Sequence, residues 1–375
     1  MNSSIYNFII ILVLTFDMGG ELGVRFVAFS LIFIGFSYSL YSRKALIKPQ
    51  SISKELFFLV CLLVLWPFIL LIKSQVNGYD LSLSISQISS LFFAFIYFLY
   101  RIQTYKINGF KNLLYSFYVL SCFYCAMIVI YFINAELFGT ITGFFMEQGL
   151  YAGVRSESVD LPNVYIKSSL FIFFAFSCFL GKNRIKSSVI YIGTFITTSK
   201  ILFLFNTLLV FYRLNFRIKL FFILILILSF PFLSSFLSSD VLNFSEYLLT
   251  AVDGNSITAS KRISDFYSVL SLFNNDYIGL LFGFGPGSLI FTDFMNTAVV
   301  NIELDHLNTI RKFGLLWFIL LCSYIFYVGL LLNKNGMNSE LIGLIGVFVL
   351  AGTNPVLISP MFFIILTECR LLTLK

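Results

Sequence analysis

Asn301-Ile302-Glu303-Leu304-Asp305-His306-Leu307-Asn308-Thr309-Ile310-Arg311-Lys312-Phe313-Gly314 carries the only histidine of the chain and runs straight into an apolar stretch that ends near Leu332. Here a long polar segment, 238–309, turns into an apolar helix over 310–332. The rest of the chain follows from that transition. Of the 375 residues, 59% are hydrophobic and 11% charged, with a mean hydropathy of +0.93. Ordinary soluble domains carry about 25% charged residues. A soluble chain of this length could not hide so much apolar surface, and repeated runs of about 18 apolar residues are membrane-helix signals.

The apolar segments fall at 5–16, 24–41, 56–72, 81–100, 113–135, 164–180, 187–198, 200–212, 218–237, 310–332, 340–352 and 356–369. They predict an all-α polytopic membrane protein of about twelve transmembrane helices. It forms a single integral membrane domain over 1–375 with one large late loop, 238–309. Ile5 to Phe16 has no basic flank before it and no small-residue cleavage site after it, so a retained helix is expected there.

Basic residues collect in cytoplasmic loops. Arg43, Lys44, Lys48 and Lys54, then Arg101, Lys106 and Lys111, then Lys182, Arg184 and Lys186, then Arg213, Arg217 and Lys219, with Lys334, Arg370 and Lys375, all fall on one side only under one condition. The segments 187–212 and 340–369 must each cross twice, turning at Thr197–Lys200 and Gly352–Pro355. A partly inserted hairpin at 187–212 stays open, because each half is short. This arrangement places sixteen basic and three acidic residues (Glu55, Glu340, Glu368) inside, and nine basic and fifteen acidic residues outside. Both termini are then cytoplasmic. Two outer loops exceed an ordinary connection, 136–163 and 238–309, and loops beyond about 12–15 residues are usually functional or disordered. The second contains apolar runs, Phe266–Phe273 and Tyr277–Phe284, so it is expected to fold against the membrane surface.

The net charge of +7 is not a nucleic-acid footprint, since it follows the loops. Cys122 and Cys125 form a C-x-x-C, but on a helix inside the membrane and with one distant histidine. The six cysteines therefore read as packing residues, not as a zinc site. Gly283-Phe284-Gly285-Pro286-Gly287-Ser288 lacks the trailing Lys-Ser/Thr of a phosphate loop, and reads as a tight turn bringing loop backbone near the membrane.

His306 precedes the outer end of the helix 310–332. The amides and dipole at a helix N-terminus favour an anion and disfavour an imidazolium, so His306 is expected to stay neutral and able to accept a proton. A plain capping role at the interface is an equally open reading. Lys200 lies between apolar segments, where an unpaired charge is costly, so a partner or ligand is expected. Arg155 and Arg262 suit bidentate phosphate recognition. Asp265, Glu303 and Asp305 could be reactive carboxylates or ordinary solvated charges.

Taken in order, these motifs resemble the bacterial O-antigen polymerase and ligase superfamily. Arg155 before Pro162-Asn163 resembles its arginine-bearing outer loop. Thr198-Ser199-Lys200 resembles its Ser-Arg turn, with lysine where arginine is usual. Lys261-Arg262-Ile263-Ser264 followed by Gly283–Ser288 resembles its large-loop signature. His306-Leu307-Asn308 with Gly314 resembles its His-Asn motif, with Asn308 two residues on instead of adjacent. The resemblance implies a metal-independent, cofactor-free glycosyltransferase of the inner membrane that acts on undecaprenyl-diphosphate-linked glycans, with loops 136–163 and 238–309 forming a periplasmic active-site face. It implies His306 as catalytic base, Arg155, Lys200 and Arg262 on the diphosphate, and Asp305, Asn308 and Arg311 in support. The implied partners are the lipid-linked donor and acceptor, membrane lipid and a chain-length regulator, with no nucleic acid. Polymerisation of repeat units is the favoured activity, and ligation to lipid A core is the alternative. A flippase or transporter would expect charges along several helices, no large outer loop and matching broken helices in the two halves, and the sequence has the reverse.

Overall fold

The computed structural model describes residues 3–18, 20, 22–41, 53–148, 150–155, 161–197, 199–215, 219, 257–352 and 356–374. The segment 218–237, expected as a helix, and 238–256 of the large loop lie outside the described residues, save Lys219. What is described is mostly helical. Four helices are long and apolar enough to cross a membrane: Ser53–Val76, Leu81–Gln103, Gly109–Ile133 and Leu315–Lys334. Shorter apolar helices cover other expected segments, and the stretches 187–212 and 340–369 are each broken into two helices. The chain divides into two compact units, one of 1–117 with 261–375 and one of 118–260.

The first unit begins with α1 (Ser3–Phe16) and α2 (Arg25–Tyr41). Next comes α3 (Ser53–Val60), which passes through a π-helical turn at Cys61–Leu65 into α4 (Trp66–Val76). It continues with α5 (Leu81–Gln103), capped by Asp80, whose carboxylate accepts from Leu83 N at 3.0 Å, and with the start of α6 (Gly109–Ile133). A π turn misaligns the i→i−4 ladder and leaves carbonyls without their usual donors. Leu62 O, inside the turn, accepts from the buried Trp317 indole at 2.7 Å.

Trp317 belongs to the helix Leu315–Lys334, which runs antiparallel to α3–α4. Its neighbour Phe313 offers a carbonyl to Trp66 Nε1 at 2.9 Å, and Tyr324 donates to Glu55 at 2.9 Å. The C-terminal helix Pro360–Leu372 is the centre of this unit. Every residue from Pro360 to Leu371 is buried. A helix apolar on nearly all sides belongs inside a bundle, and the charged residues of this one, Glu368 and Arg370, are paired: Glu368 with Arg101 of α5, and Arg370 with Glu55 of α3. Ser39 bonds Gln103, and Asn112 donates to Ser4 O at 2.9 Å, at the same end of the unit.

The described part of the large loop folds at the opposite end. It contains α11 (Ile257–Asn275), α12 (Tyr277–Phe282), a hairpin of β3 (Ile290–Thr292) and β4 (Thr297–Val299), and α13 (Asp305–Phe313). Val269, Phe273, Ile290 and Ile302 form its own small core. The hairpin departs from the all-α expectation. Its strands, Ile290-Phe291-Thr292 and Thr297-Ala298-Val299, are β-branched or aromatic at every position but Ala298, and the turn between them is closed by Asn296 in the left-handed region, φ 50°. Beyond it lie α14 (Leu315–Lys334), α15 (Asn338–Ala351) and α16 (Pro360–Leu372).

The second unit takes the rest of α6 and then α7 (Ala135–Glu147). A second hairpin follows, β1 (Tyr151–Arg155) with β2 (Leu161–Tyr165), paired antiparallel from Tyr151↔Tyr165 to Arg155↔Leu161. After a 3-10 turn comes α8 (Ile172–Phe179), buried at every position, then α9 (Arg184–Gly193) and α10 (Lys200–Arg213). Asn183 and Ser199 cap α9 and α10 through Lys186 N and Leu202 N. Tyr124 binds the Ile166 amide at 3.2 Å and the Ser169 hydroxyl, tying α6 to the end of the hairpin.

Candidate functional site

The candidate site is built on α13. Its nine residues place Asp305, Asn308 and Lys312 on one side, at i, i+3 and i+7, with Arg311 one turn on from Asn308 beside them. Asp305 opens the helix but serves a different segment. Its Oδ2 accepts from the amides of Val356 and Leu357, both at 2.6 Å, just before α16. It is 1% exposed, and burial pushes its carboxyl up to about 7, while the Leu357 and Val356 amides and the Lys312 ammonium pull the other way.

A linkage consequence follows. The folded pKa lies above the unfolded 3.8, so the folded state holds the extra proton between the two values. This group's contribution to stability is present below about 4 and is lost as pH rises toward about 7. Asp305→Asn is expected to flatten that slope in a melting-temperature series across pH 4–7. Asp305→Ala is expected to lower the melting point at every pH, because two buried amides lose their acceptor at about 1–3 kcal/mol each.

His306, the next residue, faces elsewhere. Its ring lies edge-on to Phe348 at 4.7 Å and to Phe318 at 5.8 Å between centroids. Nε2 is buried with no hydrogen-bond partner among the described residues. Burial lowers its pKa below the usual histidine value, against a hydrogen bond to the Phe348 backbone that raises it. Its surroundings therefore favour the neutral imidazole, with an aromatic wall and one ring nitrogen unpartnered among the described residues. On the Nδ1 side there is no room: a Cβ on Gly352 would come to 2.9 Å from Nδ1.

Arg311 and Lys312 are both buried cations. Arg311 reaches Ser288 O at 2.9 Å, Ser288 Oγ at 3.0 Å, Val300 O at 2.6 Å and Asn308 Oδ1 at 2.9 Å. Lys312 donates to Asn301 Oδ1. Among the described residues neither has a carboxylate within ion-pair distance. Burial lowers both pKa values, that of Arg311 to about 10, and the Lys312 amine has the Arg311 charge against it and the Asp305 charge in its favour.

The glycine-rich turn is the other half of this construction. Phe284 N donates to Arg311 O at 2.8 Å and Gly285 N to Lys312 O at 3.0 Å. Gly285 and Gly287 press against Ser74 at the end of α4 and Ser84 at the start of α5. Lys73 reaches Gly283 O. The turn thus straps α13 to the ends of α4 and α5.

Glu303 and Asp305 are bonded within the fold, and Asp265 is buried with neither oxygen hydrogen-bonded among the described residues. Glu303 binds Lys261 at 2.8 Å and Arg262 at 3.2 Å. Asp265 is 1% exposed, and burial raises its pKa against the pull of Lys261 and the Glu303 backbone. The structure brings His306, Asp305, Asn308 and Arg311 onto one helix, with Arg262 paired to Glu303 two residues before it. It does not turn Asp305, Asn308 or Arg311 toward the imidazole. They hold the 356–357 segment and the loop around Ser288, Val300 and Asn301. Arg155 ends β1 and Lys200 opens α10 in the other unit, and their side chains lie outside the described residues. Lys312 was not singled out from sequence, although its spacing from Asp305 was visible. Among the described residues no three His, Cys, Asp or Glu side chains gather as a metal-ligand set. The chain matches no protein-family model and no curated protein.

Proposed function

We propose that this protein is a membrane glycosyltransferase that polymerises polyprenyl-diphosphate-linked glycan units, with His306 as its general base. One observation carries the reading: an imidazole whose buried Nε2 has no partner among the described residues stands where the large loop folds onto the helix ends. The ordered resemblance of the loop motifs to the O-antigen polymerases and ligases supports the same reading. In this reading the loop end of the bundle is periplasmic, the membrane is the bacterial inner membrane, and both termini are cytoplasmic.

The acceptor hydroxyl oxygen attacks the anomeric carbon of the donor. The bond from that carbon to the diphosphate oxygen breaks, and the diphosphate leaves with the electron pair. The hydroxyl proton passes to His306 Nε2. A base must lie within hydrogen-bond reach and have a pKa near the working pH. The leaving diphosphate needs fixed cations, for which Arg155, Lys200 and Arg262 are the proposed set. Arg262 contacts Glu303 through Nε, at 3.2 Å, which leaves its other guanidinium donors to turn to the diphosphate.

His306→Gln, shown to be inserted in the membrane, is expected to abolish the polysaccharide ladder of a complemented deletion strain while the core-plus-one-unit band stays. Loss of that band as well would reassign the protein to ligation. An unchanged ladder would remove His306 from the chemistry. In reconstituted vesicles, activity should fall only at pH below the ordinary histidine range, because the imidazole must protonate to be lost as a base.

A further inference from the structure

The loop that carries α11 and α12 is not among the membrane-crossing candidates, yet its outward face is apolar. On α11, Ile263, Phe266, Tyr267 and Leu270 follow the i, i+3, i+4, i+7 spacing of one helix face, and all are exposed, Tyr267 by 64%. The adjoining face, through Val269 and Phe273, is already spent on the small core. On α12, Ile278 is 69% exposed and Leu281 39%. Soluble proteins seldom expose an apolar patch of this extent unless something covers it.

What covers it is indicated by continuity. Phe282, the last residue of α12, stacks on Trp66 of α4 at 6.3 Å and 17°. Trp66 opens α4, and its ring lies about 15 Å along the axis from the Val76 end. On α4 itself Ile69, Ile72 and Val76 are exposed, on a helix apolar enough to span a bilayer. An apolar surface therefore runs from the flank of α4, part of a helix long and apolar enough to span a bilayer, onto Phe282 and α12 at about 15 Å along α4 from its Val76 end, and α12 follows α11 directly in the chain. Its composition suits an interface, with tyrosine and phenylalanine among aliphatic residues. The charges on it are occupied: Lys261 and Arg262 by Glu303, and Asp276 by the Gly279 amide at 2.8 Å.

We propose that the outward face of α11 and α12 is seated in the lipid leaflet around the helix ends, its side chains among acyl chains, so that the large loop is an interfacial, partly inserted element. This is independent of the chemistry assigned to His306. It also explains why the backbone at Gly283 and Phe313 is so fully enclosed, since irregular backbone at membrane depth must be buried in protein.

The full-length protein is placed in nanodiscs of lipid with brominated acyl chains and in matched unbrominated nanodiscs. Tryptophan is introduced as Tyr267→Trp or Ile278→Trp on the face, and as Asn275→Trp away from it. The signal of the unsubstituted protein, which has two tryptophans, is subtracted. Tyr267→Trp keeps a similar ring, so folding is preserved in at least one face variant. Bromine is expected to quench the face positions at least about twofold more than position 275. Equal, weak quenching at all three positions in nanodiscs holding one copy would overturn the proposal. Weak quenching of the face in nanodiscs holding two copies would overturn it in favour of a contact between copies.

Discussion

Glu368→Ala is expected to destabilise the protein by about 3–5 kcal/mol, the usual cost of removing one partner from a buried ion pair. Glu368 lies on α16, the innermost helix of its unit, and is 1% exposed, as is Arg101. Its carboxylate takes the Arg101 guanidinium through both oxygens and the Tyr97 hydroxyl at 2.6 Å. Arg101 also donates to Thr104 O at 2.8 Å and to Ile107 O at 3.1 Å, closing the turn that leads into α6. Gly109 packs onto this cluster so closely that an added Cβ would stand 2.5 Å from the carboxylate and the guanidinium.

Removing the carboxylate leaves an arginine buried with only part of its donors satisfied, and a tyrosine with only the long contact to Asn7 Oδ1, at 3.4 Å, as acceptor. The double variant Arg101→Leu with Glu368→Leu should recover part of the loss, because no charge then remains buried. The check is the thermal midpoint of the purified protein in detergent, wild type against single and double variants. A single variant as stable as wild type would mean that the pair is not what seats α16.

The order of the helices was legible in the sequence because apolar runs and their breaks are local. The breaks after α9 and after α15, expected at Thr197–Lys200 and Gly352–Pro355, were visible as interruptions in hydropathy, whereas Ser359, which caps α16, lies inside the apolar stretch 356–369 and was not. The centrality of α16 was not legible. An apolar helix facing lipid and one facing protein have the same composition, and only the partners tell them apart. In the sequence Glu55 and Glu368 are two minor acids on a basic side, yet each holds an arginine in the folded bundle. A charge in an apolar segment is as costly at Glu368 as at Lys200, and it calls for a partner at both. At the site, the position of His306 at the loop end was readable, but its aromatic enclosure was not, since Phe318 and Phe348 come from two other helices. The role of Asp305 could not be read either, because the amides it accepts from lie some fifty residues on, at Val356 and Leu357.

Gly283→Ala and Gly314→Ala are each expected to prevent stable folding of the loop onto the bundle, and with it any activity that depends on α13. The two glycines cross at the ends of α12 and α13. Gly283 has φ 87° and ψ 150°, and Gly314 has φ 91° and ψ 156°, a region essentially reserved for glycine and costing other residues about 1–3 kcal/mol. Strain alone would be tolerable, but the space is also closed. A Cβ on Gly283 would meet Lys312 O at 2.5 Å, and a Cβ on Gly314 would meet Leu281 O at 2.5 Å. Both obstacles are backbone, held by the Phe284–Arg311 and Gly285–Lys312 hydrogen bonds, and cannot rotate away. Gly78 separates strain from closure: it has φ 72° and nothing within 4 Å of an added Cβ. Gly78→Ala should therefore cost only the backbone term, about 1–2 kcal/mol, and leave a monodisperse protein. The measurement is the folded fraction recovered by size exclusion, together with the thermal midpoint, for the three variants. Equal losses at 78, 283 and 314 would show that strain alone decides. A loss confined to 283 and 314 would locate the rigidity of the site in this crossing, since the strap that positions His306 cannot close without it.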